Sequence, residues 1–197
     1  KIMIRLECDY LEGAAPEVLA ALCDTNATQT VGYGEDEYCA RAHRLIAELC
    51  DMPAAAVHFF VGGTQVNLTV IAAALAPFEG VLCADTGHIN VHETGAVEAT
   101  GHKVLALPCA DGKLTAEQVC DACLAHEGDA THEHMVRPAM VYVSQPTELG
   151  TLYTRAELAR IYAVTRELGL TLYIDGARMA YALAAQPDVD MPFLARH

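Results

Sequence analysis

The segment Leu172-Tyr173-Ile174-Asp175-Gly176-Ala177-Arg178 places a carboxylate and a guanidinium where an apolar strand runs out into a loop. Open α/β sheets bind ligands at the carboxyl ends of their strands, and an Asp in that place can hold a heteroaromatic nitrogen protonated through a charge-assisted hydrogen bond. Two other segments put polar groups in comparable positions. In Val61-Gly62-Gly63-Thr64-Gln65-Val66-Asn67-Leu68 a strand meets two glycines and then a helix, so helix-start N–H groups and the Thr64 hydroxyl form an anion cradle; a purely structural turn explains the same residues. Asp85 to Ala96 follows another short apolar run. Its His88 could stack on a cofactor ring, shield it from water or shuttle protons near neutral pH, or simply bond a loop carbonyl.

Other clusters carry less. His88, His92 and Glu93 sit in a loop with no third His nearby, which argues against a metal set. Cys120-Asp121-Ala122-Cys123 has CxxC spacing, yet it falls mid-helix with Val119 and Leu124 on an apolar face, so core packing is expected rather than redox chemistry. His126, His132 and His134 follow without a second Cys pair, and no metal is assigned. Gly-x-Ser-x-Gly is absent and no Ser-His-Asp triad follows from the spacing. Glu35-Asp36-Glu37 caps a helix or faces solvent, while Tyr33-Gly34 just before it could reach a neighbouring subunit's pocket.

The elements that must position these groups are legible. Short apolar runs at His58 to Val61, Val81 to Ala84, Lys103 to Leu107, Met140 to Ser144 and Leu170 to Ile174 alternate with amphipathic stretches, the pattern of an α/β fold with a mainly parallel sheet covered by helices on both faces. Thr115 with Gln118 and Thr154 with Glu157 read as capping boxes, and Gly169 stands where the second of those helices should end. A helix is expected from Pro16 through Cys23, and another over Glu35 to Leu49 with Tyr38, Ala42, Leu45, Ile46 and Leu49 on one face.

With 53% hydrophobic and 19% charged residues, the 197-residue chain can bury one substantial core. A net charge of −14 repels polyanions, so nucleic acid is not an expected partner and a phosphate would need a locally positive niche. Eight scattered cysteines fit reduced thiols; without a signal-peptide run or a membrane-length apolar window, a soluble cytoplasmic protein is expected.

Four segments in one order, Tyr33 to Asp36, Gly62 to Asn67, His88 to Gly95 and Asp175 to Arg178, resemble the threonine aldolase and β-eliminating lyase family of fold-type-I enzymes that use pyridoxal 5'-phosphate (PLP). Ser144 to Thr151 looks like that family's loop before the Asp strand, and the resemblance runs from Asp9 to Tyr181. It implies the large domain of a PLP-dependent transferase-like fold with the small C-terminal domain missing: an N-terminal arm and helix over 1–30, then an incomplete PLP-binding domain over 31–197. It further implies that Asp175 pairs with the pyridine nitrogen and that Gly63 and Thr64 hold the phosphate. His88 would stack on the ring and help deprotonate a β-hydroxyl, Arg178 would bind the amino-acid carboxylate, and Tyr33 would also meet substrate. The implied reaction is retro-aldol cleavage of a threonine-like β-hydroxy-α-amino acid to glycine and an aldehyde in a homo-oligomer, dimer or tetramer. The alternatives are β-elimination to pyruvate and ammonia, or a noncatalytic relic of the fold. Cys8 and His92 depart from the small polar residue and the Tyr frequent in relatives, which leaves substrate choice open. Lysine occurs only at Lys1, Lys103 and Lys113, so the Schiff-base lysine is missing and negligible activity is expected of the chain as it stands.

Overall fold

The computed structural model describes residues 4, 5 and 7–197. The chain divides into two compact units, Lys1–His43 and Arg44–His197. In the first, Pro16 occupies the first turn of α1 (Pro16–Thr25), where its missing N–H costs nothing. The Asp36 carboxylate accepts the backbone N–H groups of Tyr38 and Cys39 at 2.9 Å each and so starts α2 (Glu37–Leu49), within which the division falls. Neither helix has a buried residue, and the expected stripe on α2 is exposed at Tyr38, Leu45 and Leu49.

The second unit is built on a four-stranded sheet in the order β2-β1-β3-β4, with β1 (Glu79–Ala84), β2 (Lys103–Leu107), β3 (Arg137–Ser144) and β4 (Thr171–Asp175) all parallel. Side chains alternate between two apolar layers, which is why these strands read as continuous apolar runs. Leu82, Ala84, Val141 and Val143 face one way, onto Val119 and Cys123 of α5 (Ala116–Gly128) and Leu158 and Ile161 of α6 (Arg155–Glu167). Val81, Cys83, Met140 and Tyr142 face the other way, onto Ile71 of α3 (Gly63–Ala74) and onto Ile89 and Val97. Both expected capping boxes close, at Thr115 with Gln118 and at Thr154 with Glu157, and Gly169 adopts φ 69° just past α6. No helix among the described residues is long and apolar enough to cross a membrane.

Three expectations need correction. His58 to Val61 forms no strand: the Val61 N–H is taken by the Gln65 side chain at 3.0 Å, so the run ends in a local helix-start bond rather than a sheet ladder, and the Val61 side chain is 97% exposed. Leu124 does not share the apolar face of α5, because Ala116, Val119, Cys123 and His126 define that face and the next position lies about 100° further round. His88 is not in a loop but opens α4 (His88–Val91).

Gly80 marks how closely the first two strands approach. A Cβ there would come within 2.7 Å of the Lys103 carbonyl oxygen and 2.8 Å of Val136 Cγ1. Gly80→Ala is therefore expected to destabilise the chain by about 1–3 kcal/mol, read as a lower urea midpoint, since the first obstacle is backbone and cannot swing aside.

Candidate active site

Strand order reverses between β1 and β3, and such switch points open a crevice at the carboxyl ends of the strands. Three elements deliver side chains there. Asp175 ends β4, His88 follows β1 at the start of α4, and Ser144 ends β3 ahead of Glu148. The alternation of β3 and β4 turns Tyr142 and Tyr173, directly paired across the ladder, toward the α3 layer. There α3 presents Asn67 one turn before the buried Ile71, so an amide enters an otherwise apolar layer.

These groups bond one another in a closed ring. The Asp175 Oδ2 accepts the Tyr142 hydroxyl at 2.6 Å and the Asn67 Nδ2 at 3.2 Å, while its Oδ1 accepts the Ala177 N–H at 2.9 Å. The Asn67 amide also donates to Glu93 Oε1 at 2.6 Å, and that oxygen lies 2.8 Å from His88 Nδ1. From the other side Ser144 stands 3.2 Å from the Tyr142 hydroxyl and donates to Glu148 Oε1 at 2.6 Å, and Glu148 accepts the His88 backbone N–H at 2.9 Å. The Tyr173 hydroxyl fixes the amide from behind, donating to Asn67 Oδ1 at 2.5 Å. Burial, then the nearby Asp175 carboxylate, pushes the phenols of Tyr142 and Tyr173 well above the ordinary tyrosine range.

Of the residues singled out in the sequence, Gly63, His88, Asp175 and Arg178 line one cleft of about 80 Å³ together with Asn67 and Glu93. Thr64 is exposed beside it and is not among the lining residues. Tyr33 belongs to the first unit, where its side chain is fully exposed and its φ is 65°. The sequence reading missed Tyr142, Tyr173 and Glu148 as site residues, and weighed Glu93 only as a metal ligand. No group of three His, Cys, Asp or Glu among the described residues can hold a metal. Two tyrosines at inward positions of adjacent apolar strands, and one Asn inside an apolar helix, were the available signals. A larger cavity of about 450 Å³, lined by Glu79, His126 and Arg137, lies at the amino ends of β1, β3 and β4, away from these groups. Size favours that cavity, but convergent polar chemistry favours the smaller cleft.

Residues 6–191 match the family model described as beta-eliminating lyase. The chain belongs to that family. It is 35% identical over 178 residues to the low specificity L-threonine aldolase of Pseudomonas aeruginosa, covering 89% of this chain and 50% of that protein. The corresponding enzyme of Saccharomyces cerevisiae is 29% identical, over 94% of this chain and 47% of its own length. Among solved structures, the threonine aldolase of Leishmania major superposes with a TM-score of 0.90 at 48% identity, covering 95% of this chain and 54% of that one. A PLP-bound C-S lyase from Staphylococcus hominis, at 14% identity and a TM-score of 0.57 over 83% of this chain and 42% of its own, shares the fold. The chain thus spans about half the length of the relatives it matches. Membership of that family indicates pyridoxal phosphate as the cofactor.

The cleft fits such a group. A carboxylate has about four lone-pair directions, and three protein donors leave one open on Asp175 Oδ1 for a ring N–H. At the start of α3 there is no side-chain cap, and a Cβ built on Gly62 or Gly63 meets nothing within 4 Å, so helix-start N–H groups border space that an anion could fill.

Because the folded-state pKa values of Tyr142 and Tyr173 lie above the unfolded value of about 10, the stability they confer is complete below about pH 10 and is lost as pH rises toward the folded values. Spectrophotometric titration should show these phenols ionising only as the chain unfolds. Tyr142→Phe is expected to cost about 2 kcal/mol by removing a donor from a carboxylate, measured by urea denaturation.

Proposed function

We propose that the protein is a PLP-dependent carbon-carbon lyase that cleaves a threonine-like β-hydroxy-α-amino acid to glycine and an aldehyde. The observation that carries this reading is the fixed pairing of Asp175 and His88 on one cleft, linked through Asn67 and Glu93. When bound, PLP supplies an electron sink for the charge left at the substrate Cα when a bond there breaks. Asp175 holds a pyridine N–H with its open Oδ1 direction, and Tyr142 and Asn67 keep that carboxylate from turning away. The helix start at Gly63, with the Thr64 hydroxyl beside it, holds the phosphate. His88 covers the ring and takes the β-hydroxyl proton on Nε2, since Nδ1 is engaged with Glu93. Arg178, on the cleft wall, receives the substrate carboxylate as a planar fork.

A cleft of about 80 Å³ is well below the roughly 300–1,000 Å³ of ligand pockets, so it forms one wall of the working site. We propose that a homo-oligomer supplies more of that wall. Exposed apolar side chains on α1 (Val18, Leu19, Leu22) and α2 (Leu45, Leu49) support assembly, and the strained backbone of the exposed Tyr33 fits a residue offered to a neighbouring subunit's substrate. All eight cysteines are free thiols, which supports a reducing, cytoplasmic setting. Among the described residues no lysine lines the cleft, and Lys113 is held by Glu157 at 2.8 Å, so the 197 residues alone are proposed to bind PLP without a covalent link and to turn over negligibly.

The complete gene product, incubated with PLP and L-threonine, is expected to release glycine and acetaldehyde in equal amounts. A 2-oxo acid with ammonia would instead establish elimination, and neither product would establish a noncatalytic role. Arg178→Lys in the same protein is expected to lower kcat/KM by about tenfold or more through loss of the fork geometry.

A further inference from the structure

We infer that Glu93 is a positioning residue that fixes His88 in the tautomer protonated on Nδ1, keeping Nε2 bare toward the cleft. That Nε2 then meets a substrate hydroxyl rests on the lyase reading above; the tautomer stands on this chain's own geometry.

The amide of Asn67 decides the first step. Its Nδ2 faces two carboxylates, Glu93 and Asp175, and only a donor can satisfy both, while its Oδ1 faces the Tyr173 hydroxyl, which can donate. Glu93 Oε1 is therefore an acceptor toward Asn67. The same oxygen lies 2.8 Å from His88 Nδ1, and the Glu93 side chain has no solvent exposure. A single proton occupies that contact. A carboxylate oxygen that already accepts one N–H is suited to accept a second, so Nδ1 is the donor in that contact. Glu93 Oε2 is buried with no hydrogen-bond partner, so a proton placed there would find no acceptor.

The rest of His88 is fixed independently. Its backbone N–H bonds Glu148, and its side chain, 38% exposed, lines the cleft. Main chain and ring are thus anchored by two different glutamates, and Nε2 is the ring nitrogen that Glu93 does not engage. An Nε2–H tautomer would present a donor where a β-hydroxyl must give up its proton; the Nδ1–H tautomer presents an acceptor.

The experiment uses the purified 197-residue chain labelled with ¹⁵N at histidine, with no cofactor or substrate added. Imidazole nitrogen shifts of His88, assigned by comparison with His88→Gln, distinguish a protonated Nδ1 with a bare Nε2 from the reverse. The first pattern is expected in the wild type. In Glu93→Gln, whose amide can accept or donate, the tautomer ratio should move toward Nε2–H by about tenfold or more. A wild-type ring carrying its proton on Nε2 would overturn the inference, as would an unchanged ratio in a Glu93→Gln chain that keeps its backbone amide spectrum. Should that variant not fold, Glu93→Asp, which withdraws the carboxylate by one methylene, is expected to weaken the preference, and an unchanged ratio there would overturn it equally. Since nothing in this readout depends on bound PLP, its failure leaves the lyase reading standing, and a failure to bind PLP leaves the tautomer result standing.

Discussion

A buried amide set between two carboxylates is the constraint on which the site depends. Asn67 can donate to Glu93 and Asp175 only while its oxygen is held by Tyr173, and Asp175 keeps its direction only while Tyr142 also donates to it. Two carboxylates near one another in a low-dielectric layer repel, so a neutral double donor between them both separates and anchors them. The arrangement leaves Glu93 Oε2 buried without a hydrogen-bond partner among the described residues. It places an imidazole and an Asp at a fixed separation on one cleft.

The fold supplies that geometry through two simple periodicities. A period of two along β3 and β4 sends Val143 and Ile174 into one apolar layer and Tyr142 and Tyr173 into the other. A period near four along α3 lines Asn67 up with Ile71 in the layer that receives those tyrosines. The reversal of strand order between β1 and β3 then opens the crevice onto which His88, Ser144 and Asp175 converge.

Much of this was legible in the sequence, for physical reasons that can be named. Strands buried on both faces read as apolar runs, and four of the five anticipated runs lie in the sheet. Capping boxes were visible because they are local, needing only residues three apart. His58 to Val61 misled because apolar content does not reveal a ladder partner, and the Gln65 side chain claimed the N–H that a neighbouring strand would need. His88, Asp175 and Arg178 could be picked out by their place after strand ends, and Gly63 by a glycine pair at a helix start. The ring joining them could not, since it is closed by residues as far apart as Asn67 and Asp175, whose meeting is a property of topology.

We propose that Asp175, held by Tyr142 and Asn67, receives the cofactor's ring nitrogen while His88 covers its face. A crystal structure of the complete protein with PLP bound tests this most directly. The expected result is a pyridine nitrogen in hydrogen-bond contact with Asp175 and the ring against His88, with the Tyr142 and Asn67 bonds to Asp175 retained. A cofactor whose nitrogen meets another group, or one seated at the amino ends of the strands by His126 and Arg137, would contradict it.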